Sequence, residues 1–133
     1  MRNKVITFDW TDEDNKRYGD KTIAITRASA FAFHQGFYSE HQINKFTHVV
    51  LGYNKNEKAI ALKFIEVKSR DKKPNGARTI TQDRHDATAL SFFKKNNIDV
   101  NSYAGRYKVH IQNDSRQGEL FYILLDEKDK TEN

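Results

Sequence analysis

Residues 47–67 read THVVLGYNKNEKAIALKFIEV. Two runs rich in β-branched and aromatic residues, THVVLGYN and KAIALKFIEV, enclose the polar KNE, which with Asn54 makes the turn of a β-hairpin. A second hairpin is predicted at 105–126. GRYKVHIQ places Tyr107, Val109 and Ile111 on one face, NDSRQG supplies the turn, and ELFYILLD returns. A short segment of helical character precedes each hairpin: GFYSEHQI (36–43) before the first and LSFFKKNNI (90–98) before the second. Helices of two or three turns are marginal without tertiary support, so both are expected to pack against the strands. KTIAIT (21–26) alternates, with Ile23 and Ile25 on one face, and the single proline opens the turn PNGA (74–77) between the two halves.

The order of extended segment, short helix and long hairpin therefore occurs twice. Aligning SAFAFHQGF with ATALSFFKKN at an offset of 59 pairs Ala30 with Ala89, Phe31 with Leu90 and Phe33 with Phe92, and sets Tyr53 opposite Gln112. AIT (24–26) echoes TIT (79–81) at an offset of 55. Two such units can bury together the apolar faces that neither buries alone. The expectation is one β-dominated α+β domain over 1–133. It comprises an N-terminal arm or hairpin (1–21), a first β-α-β-β repeat (22–68), a basic loop (69–77), a second repeat (78–126) and a solvated tail (127–133). The repeats would form a small barrel or paired curved sheets with two short helices.

Over roughly Thr22 to Asp126 this order resembles the AbrB-like swapped-hairpin domains, cradle-loop barrels of bacterial transcription regulators in which two units interlock. The resemblance implies DNA binding. AFAFHQG and ATALSFF lack the basic residue and the proline with which that family's units open. A basic, aromatic-rich β protein is also similar to the single-strand-binding sheets of the Whirly kind, in which aromatics stack on bases while lysines follow the backbone.

Composition narrows the functional classes. Cysteine is absent, which removes thiolate metal sites, cysteine nucleophiles and disulfides. No apolar run reaches signal-peptide or membrane-span length, so the chain reads as soluble and cytoplasmic. Aromatics at 12% set it apart from a disordered polyelectrolyte. The formal net charge is +5, and the segment from Lys68 to Lys95, with eight basic and three acidic residues, carries an excess equal to all of it. Such a concentration makes a local field suited to phosphates. Lys68, Arg70, Lys72, Lys73, Arg78 and Arg84 are the candidate nucleic-acid-binding residues.

FIEVKSRD (64–71) raises a competing possibility. Glu66 and Lys68, two apart on a strand and in line with Leu62 and Phe64, have the spacing of a metal-dependent nuclease, the carboxylate holding a divalent ion and the lysine supporting the attacking water. That chemistry needs a second carboxylate on the paired strand, where this chain has Thr47 and His48. His34, His41 and His48 recur every seven residues, but FAFHQG and THVVLG, which hold His34 and His48, read as extended, so the three do not form a helical seam; His110 is expected to face solvent. Asp83 and His85 in DRHDAT (83–88) form either a metal or acid-base pair or, on residue preference, a polar capping turn before the second helix. No nucleophile elbow, glycine-rich phosphate loop or zinc spacing occurs, and no cofactor is implied. Phe31, Phe33, Phe64, Phe92, Tyr107 and Phe121 are assigned to the core, whereas Trp10, Tyr18, Tyr38 and Tyr103 lie in polar surroundings and could stack on bases or anchor a partner.

The resulting expectation is a non-catalytic nucleic-acid-binding module whose partner is DNA or RNA, with a possible homodimer and no membrane contact. The alternative is a protein-interaction or assembly domain of a phage or mobile-element accessory protein, and the third reading is the nuclease at Glu66 and Lys68.

Overall fold

Alternation decides which side of each strand is buried. Ile60, Leu62 and Phe64 point inward along one strand, Phe121 and Ile123 along another, with polar or small residues between them. The computed structural model describes residues 20–116 and 118–129. Most of the expected N-terminal arm, with Trp10 and Tyr18, and the end of the tail lie outside the described residues.

The elements run β1 (Thr22–Thr26), β2 (Ala30–Phe33), α1 (Gln35–Glu40), β3 (His48–Asn54), β4 (Ala59–Ile65), β5 (Arg78–Thr79), β6 (Asp86–Thr88), α2 (Leu90–Lys95), α3 (Val100–Tyr103), β7 (Gly105–Lys108), β8 (His110–Asp114) and β9 (Gly118–Leu124). Two antiparallel sheets result, ordered β6-β2-β1-β7 and β5-β3-β4-β9-β8. Both predicted hairpins form. The first turns at Lys55–Lys58, where the Asn54 side chain accepts a hydrogen bond from the Glu57 N–H at 3.1 Å.

Of the two arrangements expected, paired sheets form and the barrel does not close: among the described residues β5 and β6 are joined only by an isolated bridge, Thr81 to Asp86, and the strand through β7 and β8 breaks at Val109 as it passes from one sheet to the other. Two further expectations need correction. Each half carries two strands before its helix, so the unit is β-β-α-β-β. Among the described residues there are three α-helices, because Asp99 caps a further turn, accepting from the Asn101 N–H at 3.0 Å and from the Ser102 hydroxyl.

The halves are related by exchange. β2 pairs with its counterpart β6, β4 with its counterpart β9, and β1 pairs with β7 as β5 pairs with β3. The helices coincide at a spacing of 55, not 59. Phe37 and Tyr38 match Phe92 and Phe93, all buried, followed by left-handed Gln42 and Asn97 (φ 53° and 56°) and buried Ile43 and Ile98. Leu90, set against Phe31 in the sequence alignment, is an exposed helical residue. Beyond α3 the inward residues of β3, Val49 and Leu51, match Tyr107 and Val109 at a spacing of 58. A one-residue slip in a strand exchanges its faces, so Tyr53 corresponds to Ile111 and not to Gln112.

One apolar cluster joins both sheets and all the aromatic residues assigned to the core. Phe37 sits at its centre, its ring 5.1 Å from Phe121, 6.0 Å from Phe64 and 6.3 Å from Phe33. Phe31 stacks on Phe93 at 5.0 Å. Tyr107, fully buried, donates its hydroxyl to the Tyr103 carbonyl at 2.6 Å; burial, with the charges of Tyr103 and Asp126 adding to it, holds its pKa far above the usual phenol value. Phe37→Ala empties the point where the sheets meet and should cost about 3–5 kcal/mol, read as a lower urea midpoint.

His34 precedes α1 and ties it to β1. Its Nδ1 shares a hydrogen bond with the Thr22 hydroxyl, and its backbone N–H donates to the Thr22 carbonyl at 3.1 Å. Burial, then the charge of Arg106, pushes its pKa below the usual 6.5, against an opposing pull from Asp20. Above pH 6.5 the imidazole is neutral in folded and unfolded chains alike; as pH falls below that value the unfolded chain takes up the proton first, and stability drops. Urea midpoints measured between pH 7 and pH 5 should therefore fall more steeply for the wild type than for His34→Gln.

Candidate nucleic-acid interface

Between β4 and β5 the chain runs from residue 66 to 77 without helix or strand. Two small turns shape it. The Lys68 N–H donates to the Asp71 carboxylate at 3.1 Å while the Asp71 N–H donates to the Lys68 carbonyl at 2.8 Å, and the Ala77 N–H donates to the Pro74 carbonyl at 3.1 Å. Asp71 thus hydrogen-bonds backbone rather than a cation. Lys68, Arg70, Lys72 and Lys73 are exposed, and none is in an ion pair among the described residues. Four basic residues against two acidic ones, Glu66 and Asp71, leave this short loop with a net positive charge that projects into solvent.

Arg78 and Arg84 are placed differently. Arg78 leaves the loop on β5, and its Nη2 donates to the Ser91 hydroxyl of α2 at 2.8 Å; its Nε is buried and has no protein partner. Arg84 lies on the 82–85 turn, paired through Nε with Asp86 at 3.3 Å. That turn is clamped to α1. His85 stacks on Tyr38 with centroids 3.7 Å apart and rings 7° from parallel, the Tyr38 hydroxyl donates to the Gln82 side-chain carbonyl, and the Gln82 amide donates to the Phe46 carbonyl at 2.7 Å.

The clamp corrects two expectations: Tyr38 is buried rather than available to a partner, and residues 83–88 form a turn and β6 rather than a helix cap. No hydrogen bond or ion pair joins Asp83 to His85 among the described residues; the imidazole stacks on Tyr38. His110 is also not simply solvent-facing. It stacks on Tyr122 and reaches Glu127 at 2.7 Å.

A groove of about 550 Å³ begins where the basic loop ends, with Asn75, Gly76, Arg78, Ser91, Lys95 and Tyr53 in its wall. A second, of about 520 Å³, continues from the shared residues Tyr53, Lys95 and Asn96 to Lys55, Lys58 and Tyr103. The surface thus joins Arg78 and the end of the loop to lysines that were not singled out; Arg84 lines neither groove. Lys95 was visible in the sequence only as part of the charge run. Lys55, Lys58 and Tyr53 fell under the description of a hairpin and its turn, and local pattern holds no signal that these reach α2.

Glu66 and Lys68 lie beyond the last residue of β4, both exposed, and so leave the strand face of Leu62 and Phe64. Opposite them the Thr47 hydroxyl is engaged, accepting from the Val67 N–H at 2.7 Å and meeting His48 Nδ1 at 2.7 Å. No group of three or more His, Asp or Glu side chains converges as a metal site among the described residues.

No protein-family model matches this chain, no curated protein matches it, and no solved structure does. Its own geometry defines its class, a small strand-dominated α+β protein of two antiparallel sheets with a basic groove. Among the described residues no helix is long and apolar enough to cross a membrane. Gln82→Ala removes the two hydrogen bonds of the Gln82 side chain, to Tyr38 and to the Phe46 carbonyl, and should lower stability by about 1–2 kcal/mol, seen as a shifted urea midpoint with an unchanged slope.

Proposed function

We propose that this chain is a non-catalytic nucleic-acid-binding module acting in the cytoplasm. One observation carries the proposal: the loop bearing Lys68, Arg70, Lys72 and Lys73, exposed and without ion pairs among the described residues, runs directly into the groove that holds Arg78 and Lys95. Phosphates are the anions such a surface suits, because every nucleotide step repeats the same charge. Exposed lysines release counterions when they meet a phosphate backbone, so affinity falls as salt rises. Arg84, paired with Asp86, contributes less than Arg78. The likeness to swapped-hairpin regulators rests on element order, and the open sheets and the β-β-α-β-β halves depart from it; the binding surface stands without that likeness.

A second reading, a protein-interaction or assembly domain, is favoured by the edge of the larger sheet. There β8 ends the strand order and Ile111 is 50% exposed. Salt-tolerant self-association or protein pairing, together with no binding to any oligonucleotide, is the result that would select it.

Fluorescence anisotropy with labelled DNA and RNA at several salt concentrations tests the first reading. Lys72→Ala with Lys73→Ala should weaken binding to all sequences alike and flatten the dependence of log K on log salt by about 1.5. Unchanged affinity and slope would sink the assignment.

A further inference from the structure

The two grooves are one path with an aromatic ring at its bend. Tyr53, Lys95 and Asn96 line both, so whatever enters past Arg78 continues toward Lys55 and Lys58 without leaving the surface. Each groove, at about 550 and 520 Å³, is of the size that encloses a small ligand or a nucleotide unit. Cations stand on both sides of Tyr53. On one side stands the Arg78 guanidinium, which lines the groove and whose Nη2 donates to the Ser91 hydroxyl. On the other, Lys58 pairs with Asp126 at 3.7 Å, with both side chains about half exposed or more; such a pair is worth little in water and exchanges readily for a phosphate.

Tyr53 itself is half-buried. It packs against the core cluster and still lines both grooves, so one part of the ring is held while another is open. A ring anchored in this way makes a stacking platform for a base. The side-chain amides of Asn75 and Asn96 provide donors and acceptors beside it.

The shape argues against a duplex. Reading double-stranded DNA requires a helix or β-ribbon that projects into a major groove about 12 Å wide. Here α2 has six residues with Phe92 and Phe93 buried, α3 has four, and the basic surface is concave where a duplex reader is convex.

Resting on the nucleic-acid reading, we infer that the ligand is an unpaired strand crossing Tyr53, with a base stacked on the ring and flanking phosphates held by Arg78 with Lys95 on one side and by Lys55 with Lys58 on the other. Affinity for oligo-dT and for a duplex of equal length is to be compared for the wild type, Tyr53→Phe and Tyr53→Leu. Leucine keeps apolar packing and removes the ring. Tyr53→Leu should lose about tenfold or more in affinity for oligo-dT and none for the duplex, while Tyr53→Phe stays close to the wild type. Independently of any variant, ultraviolet crosslinking of 5-bromouracil DNA to the wild-type protein should label the tryptic peptide Phe46–Lys55. Three results would each overturn the inference. A duplex bound more tightly than oligo-dT is one, and a crosslink confined to other peptides is another. The third is Tyr53→Leu, folded by its thermal melt, binding oligo-dT as the wild type does. In those cases the Lys72 and Lys73 effects would still stand, and the broader reading with them. Absence of binding to any oligonucleotide at low salt would end both.

Discussion

The pairing of β4 with β9 is the constraint on which the rest of the molecule depends. It is the only ladder in which the last strand of one half meets the last strand of the other, with Ile60 opposite Ile123 and Leu62 opposite Phe121. These side chains point into a core that neither half could close, since each presents one apolar face and has nothing of its own to cover it. Phe37 then reaches across from the first helix to Phe121 and Phe64, so helix and sheet are held by the same ring cluster. The ladder of β2 with its counterpart β6 does the same for the smaller sheet with Phe31 and Ala87.

That arrangement explains where the cations can be. Strand interiors are occupied by apolar side chains on the core side, so charge is pushed to loops, strand ends and the exposed faces of short helices. The longest described connection without helix or strand, 66–77, joins the two halves and collects four cations. Because β5 returns beside β3, the end of that loop comes back to the sheet next to Tyr53 and the C-terminal turn of α2, where Lys95 projects. A basic groove is thus a by-product of the crossover that joins the halves. The same crossover leaves Glu66 outside the strand, where no group of three or more His, Asp or Glu side chains converges among the described residues.

Much of this was legible beforehand. The hairpin at 47–67, the inward set Ile23, Ile25, Phe31, Phe33, Phe64 and Phe121, and the duplication of the unit follow from period-two patterning and turn chemistry. Other features were not. Ala30–Phe33 read as extended, but its partner strands could not be named. Tyr38 sits among polar neighbours in the sequence, and it is the turn at 82–85, 44 residues away, that buries it. The repeat was detected at an offset wrong for the helices, because short apolar runs match at several registers. Only pairing chooses among them: Val49 beside Arg78 and Tyr107 beside Ile23, equivalent positions of the two exchanged ladders, set the strand spacing at 58.

By itself the sequence determined which residues are apolar, which side of each strand they occupy, and that positive charge gathers between Lys68 and Lys95. Those are local properties, set by side-chain chemistry and by a repeat of two or nearly four residues. The tertiary structure alone decided that Tyr53, Arg78 and Lys95, from three separate elements, share one groove, and that Arg84 is held apart beside Asp86. The physical reason is register: which faces meet is fixed by long-range strand pairing, and a shift of one residue would turn Tyr53 to the other side of its sheet.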